Sequence, residues 1–94
     1  MQSKNKPKMT AAESVHVGRV KLLECSVCDA GGGHGAPSEA HEIEQGLWWL
    51  SIALCASCHR GPILGLHGHK RMWAIKKMTE LSALNTTLRR LFNG

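Results

Sequence analysis

Cys25-Ser26-Val27-Cys28 and Cys55-Ala56-Ser57-Cys58-His59 hold every cysteine of the chain, and their reading decides the fold. Each C-x2-C pair is a tight turn able to pinch one metal ion between two sulfurs, and 26 residues separate the pairs. Four thiolates complete the closed tetrahedral shell of a structural Zn2+. Nothing remains for a disulfide framework or a free thiol. At 94 residues the chain is one domain, near the size where an apolar core alone gives marginal stability. A structural metal is a common remedy. Zinc would tie two distant stretches into one compact site that takes in His41, Glu42 and His59.

Working outward, the charge is unevenly spread. The formal net charge of +5 falls to about +3 once four thiolates hold one Zn2+. From Arg60 onward there are seven basic residues against a single acid, Glu80. That clustering suits either phosphate backbones or a solvated helical face. No run of about 18 apolar residues is present, so no membrane span is expected. Residues 1–12 are polar and lysine-bearing and read as a flexible basic arm, with a single zinc-bound domain over 13–94. Paired cysteines without an export signal favour metal binding in a reducing compartment, hence a cytoplasmic location.

Thr10 and Glu13 have capping-box spacing, which predicts a helix from there to about Leu23 with Val17, Val20 and Leu23 buried. Gly31 to Pro37 is a glycine-rich loop. Ser38 to Ile43 is expected to be extended and to reach into the site, and Gly46 breaks it. The apolar run Leu47 to Leu54 reads as a buried strand feeding Cys55. Residues 61–68 read as an irregular loop, followed by a helix over about Lys70 to Lys77 with Met72, Trp73 and Ile75 as its apolar contacts. Thr79 is a fair N-cap for a last helix, with Leu81, Leu84, Leu88 and Leu91 as its stripe. Trp48, Trp49 and Trp73 are placed mainly in the core, although indole can also stack on bases.

Five candidate ligand or proton-transfer groups lie within 29 residues: His41, Glu42, His59, His67 and His69. Imidazole binds first-row divalent metals and is a near-neutral base. Single-metal hydrolysis of a phosphodiester needs a metal on a phosphate oxygen, a base for water and a cation for developing charge. Histidines suit the first, His41 or Glu42 the second, and Arg60, Lys70 or Arg71 the third. His16 and His34 read as structural or incidental.

The order Cys-x2-Cys, Glu39-Ala40-His41-Glu42-Ile43, Leu54-Cys55-Ala56-Ser57-Cys58-His59-Arg60, Gly65-Leu66-His67-Gly68-His69-Lys70-Arg71-Met72-Trp73 resembles the HNH (ββα-metal) endonucleases. The likeness is nearest to small phage and prophage members akin to recombination-enhancement nucleases, and it covers about residues 16–91. It implies a small α+β fold with a zinc-stabilised ββα-metal core and flanking N- and C-terminal helices. It also implies DNA hydrolysis with a second, catalytic divalent metal (Mg2+, Mn2+, Ni2+ or Zn2+) held by His41 and His59, with His67 completing the metal site or contacting phosphate.

Carried over by position, His59 is the ligand after the last cysteine, and His41 is the metal-binding first member of the usual pair. Glu42 stands where the family has its histidine base, and the alternative is His41 as base with Glu42 as ligand. The family's middle asparagine has no counterpart. Arg60, Lys70, Arg71, Lys76 and Lys77 are the expected phosphate contacts. A homodimer or a recombination or replication protein is a further expected partner. The competing reading is a non-catalytic zinc-knot module that binds nucleic acid or a protein.

Overall fold

The computed structural model describes residues 8–60, 73 and 79–93. Residues 1–7 of the arm expected over 1–12, the loop at 61–68, and His67, His69, Lys70, Arg71, Lys76 and Lys77 lie outside the described residues.

Helix α1 spans Ala11–Lys21 and starts as its sequence requires. The Thr10 hydroxyl accepts from Glu13 N at 3.1 Å while Thr10 N donates to the Glu13 carboxylate at 2.8 Å, a reciprocal capping box. The helix thus begins where the capping-box spacing places it. Val17 and Val20 are buried on its inner side, and Leu23 is half-buried beyond its end. The glycine loop folds back to satisfy carbonyls that the helix end leaves open: Gly33 N donates to Leu22 O, Ser38 N to Lys21 O and Ser38 Oγ to Leu23 O. Gly32 is needed there, because it sits at φ +98° with its Cα so close that a Cβ would meet Glu24 N at 3.1 Å.

Strands β1 (Glu39–Glu42) and β2 (Ser51–Leu54) form an antiparallel hairpin with Glu39 opposite Leu54 and His41 opposite Ile52. Only the second half of the apolar run is strand. Residues 44–50 turn instead, with Leu47 N bonded to Glu44 O, Leu50 N to Leu47 O and Ser51 Oγ to Trp48 O. The two tryptophans in that turn are consequently not core residues: Trp48 is half-buried, and Trp49 is 50% exposed and stacks on the buried His16 ring at 4.8 Å. Trp73 does meet the expectation; it is helical, buried, and donates from Nε1 to Cys58 O at 3.1 Å.

Helix α2 (Ala56–Arg60) follows β2 directly, and helix α3 (Glu80–Asn93) lies across β2. Thr79 Oγ1 accepts from Ser82 N at 3.0 Å, the expected N-cap of α3. The buried stripe of α3 differs from the leucine reading. Ala83, Leu84 and Thr87 are buried and Leu88 packs beside them, while Leu81 is 72% exposed. Thr87 belongs to the interior because its hydroxyl serves the open edge of β2. It accepts from Ala53 N at 3.1 Å and meets Ser26 Oγ at 2.7 Å, while Ser26 N donates to Ala53 O. One buried hydroxyl thus joins the first cysteine turn, the strand and the helix. Around it Cys25, Ile52, Leu54, Cys58, Trp73, Ala83 and Leu84 form the core. The result is a small α+β unit, and among the described residues no helix is long and apolar enough to cross a membrane.

Candidate metal centre

The two cysteine turns converge. Cys25, Cys28, Cys55 and Cys58 place their sulfurs within 4.8 Å of one another, with Cys28 and Cys55 at 3.6 Å. Four sulfurs about 2.3 Å from a central Zn2+ would stand about 3.8 Å apart, so the tetrad fits a metal such as zinc. Backbone amides already point at the sulfurs: Val27 N donates to Cys25 Sγ and Cys58 N to Cys55 Sγ, each at 3.4 Å. Burial opposes ionisation of Cys25, yet the backbone N–H groups of Cys55, Cys28 and Val27 outweigh it and hold that thiol below its ordinary range. Burial, then the closeness of Cys25 and Cys55, pushes the Cys58 thiol up. A divalent cation bound at the centre would supply the charge that lets all four ionise together.

Beside this knot lies a second constellation. Strand β1 alternates, so Glu39 and His41 share one face while Glu42 points to the other. Helix α2 begins immediately after the third cysteine and brings His59 onto the same side. His41 Nδ1 and His59 Nε2 are 3.2 Å apart, with their rings nearly edge to face at 64°. His41 Nε2 is 2.7 Å from Glu80 Oε2, and His59 Nδ1 is 2.8 Å from Glu39 Oε1. Arg60 closes the chain by donating to both oxygens of Glu39, from Nε at 2.9 and 3.2 Å and from Nη2 at 2.6 Å. The Arg60 guanidinium, opposed by partial burial and aided by His59, holds the Glu39 carboxyl at about 2, well below its ordinary value of 4.5.

Two nitrogens about 2.1 Å from one ion, at an angle of about 90–109°, lie about 3.0–3.4 Å apart. The His41–His59 spacing of 3.2 Å suits that arrangement as well as it suits a direct hydrogen bond. The pair supplies two donors. Among the described residues the cysteines are the one group of three or more such side chains that converges on a point. Further positions would fall to solvent, phosphate or His67, which lies outside the described residues.

Of the sequence-expected residues, the structure brings together His41 and His59, and separately the four cysteines. It does not bring Glu42 to that pair: Glu42 Oε1 accepts from Gly46 N at 2.8 Å and braces the hairpin turn. Arg60 is paired with Glu39 while its side chain stays 64% exposed, and Arg90, one of the basic C-terminal residues, pairs with Asp29 and reaches Cys25 O at 3.3 Å. Sequence reasoning missed Glu39 and Glu80. Glu39 carried a legible signal, because a residue two before His41 on a strand shares its face. Glu80 carried only a faint one, as the lone acid in a basic half, since 39 positions separate it from His41.

A scan against protein-family models, a search of curated proteins and a search of solved structures find no match to this chain.

Proposed function

We propose that the protein is a metal-dependent endonuclease of the HNH type that hydrolyses DNA phosphodiester bonds. The observation that carries the reading is the approach of His41 Nδ1 to His59 Nε2 at 3.2 Å on a strand–strand–helix unit whose helix begins inside the cysteine knot. A ββα-metal core requires that order of elements, with one ligand on the first strand and one on the helix. The cysteine tetrad would hold the structural zinc that clamps α2 to the first turn, and His41 and His59 would hold the second ion. That ion, when bound, supplies Lewis acidity to a phosphate oxygen and to the leaving oxygen. His41 is 8% exposed and the His59 side chain 16%, so the pair is largely screened from bulk solvent. With both imidazoles engaged as ligands, activation of water falls to a group outside the pair.

A second reading, a zinc-knot module that binds nucleic acid without cutting it, is favoured by Glu42. The residue at the usual base position faces the hairpin turn and not the histidines. Incubating supercoiled plasmid with zinc-loaded protein and Mg2+, Mn2+ or Ni2+ separates the two. The endonuclease reading expects nicking that is lost in His41→Ala and His59→Ala. Salt-sensitive DNA binding without nicking under any of the three ions would replace it with the binding module.

A further inference from the structure

The two carboxylates behind the histidines occupy positions that a ligand pair needs filled. An imidazole has one N–H and one lone pair when neutral, and whichever nitrogen faces an anion keeps its proton. Glu80 Oε2 lies 2.7 Å from Nε2 of His41, and Glu39 Oε1 lies 2.8 Å from Nδ1 of His59. Both carboxylates are themselves held in place. Arg60 grips both oxygens of Glu39, and Glu80 is the first residue of α3, whose course is fixed by Thr87 against β2. The two histidines are bound through opposite ring nitrogens, and only in that combination do Nδ1 of His41 and Nε2 of His59 meet.

Resting on the second-metal reading above, we propose that Glu80 and Glu39 are positioning residues. Each holds the N–H of one imidazole, Nε2 of His41 and Nδ1 of His59, so that the opposite nitrogens face a shared divalent cation. Glu80 also gives α3 a role in the site: a helix 39 positions away in the chain from His41 sets that ring's orientation. Carboxylates hydrogen-bonded behind metal-ligating histidines fix the tautomer and raise ligand basicity, and removing one typically weakens metal binding about 10–100-fold.

The test uses the full-length, zinc-loaded chain. One-bond 1H–15N spectra of the imidazoles are recorded with and without added Zn2+ beyond the structural equivalent, and Mn2+ binding is followed by calorimetry. The expected result is a proton on His41 Nε2 and on His59 Nδ1 in both states. Glu80→Ala should weaken Mn2+ binding about 10–100-fold with an unchanged far-UV spectrum. Glu80→Gln, which keeps an acceptor without the charge, should fall between Glu80→Ala and the parent. A proton on His41 Nδ1 with Nε2 bare, or Glu80→Ala binding Mn2+ as the parent does, overturns the proposal. Failure of the metal reading itself looks different. In that case the parent takes up no second ion, or His41→Ala takes it up unchanged, while the proton positions still test the carboxylates directly.

Discussion

Replacing Thr87 by Val keeps the shape of a fully buried side chain and deletes its hydroxyl. That oxygen accepts from Ala53 N at 3.1 Å, pairs with Ser26 Oγ at 2.7 Å and reaches Ala83 O at 3.0 Å. Valine therefore leaves the Ala53 amide, on the outer edge of β2, and the Ser26 hydroxyl, in the first cysteine turn, without this partner. Each stranded buried group costs about 1–3 kcal/mol, and the added methyl returns about 0.8 kcal/mol. The expected net loss is about 3 kcal/mol, or a fall in Tm of about 12–24 °C for a domain of this size. Thr87→Ser keeps the hydroxyl and should cost only about 1 kcal/mol for the lost methyl. Chemical denaturation with zinc in constant excess measures both, since bound metal itself shifts stability. If Thr87→Val stays within about 0.5 kcal/mol of the parent, or Thr87→Ser falls as far as valine, the hydroxyl does not join turn, strand and helix in the way argued.

Three further perturbations test other parts of the structure. Thr10→Ala removes the side-chain half of the α1 capping box and should cost about 1 kcal/mol in the same denaturation assay, whereas Thr10→Asn should cost little. Cys58→Ser removes a buried member of the tetrad, and far-UV circular dichroism should show loss of the fold; a folded, zinc-free variant would show that the knot is dispensable. Arg60 keeps Glu39 ionised far into acid, so the stability from that pair is present above pH 4.5 and is lost as pH falls toward 2. The Glu39 carboxyl carbon should accordingly stay in its ionised form until the parent unfolds and should titrate nearer its ordinary range in Arg60→Met. Equal titration in the two proteins would contradict the assignment.

The parts of the fold visible in the sequence are those fixed by local chemistry. Cysteine spacing announced the tetrad, Thr10 with Glu13 announced α1, and Thr79 announced the start of α3. The extended stretch before Ile43 became β1. What was obscured depends on distant partners. Leu47 to Leu54 is apolar at every position but Ser51, so little in its pattern shows that the first four residues turn through bonds to Glu44 O and Leu47 O while the last four pair with β1. On α3 a leucine count favoured Leu81 over Thr87, because a threonine hydroxyl earns its interior place only from the strand edge it meets. The same holds for the candidate site. His41 and His59 stood out by type and spacing, but strand alternation, which turns Glu42 away and brings Glu39 in, outweighs adjacency in the chain. Glu80 becomes visible only when α3 is laid across the hairpin.

The proposed function needs two chemically different metal sites in one chain, so the most direct measurement is metal content by native mass spectrometry before and after mild chelation. Parent protein saturated with Zn2+ and Mn2+ should carry one ion that resists the chelator and one that leaves, and His59→Ala should carry only the resistant one. A single ion per chain in the parent, or a second ion that persists in both His59→Ala and His41→Ala, would contradict the assignment of the facing histidines as a metal site.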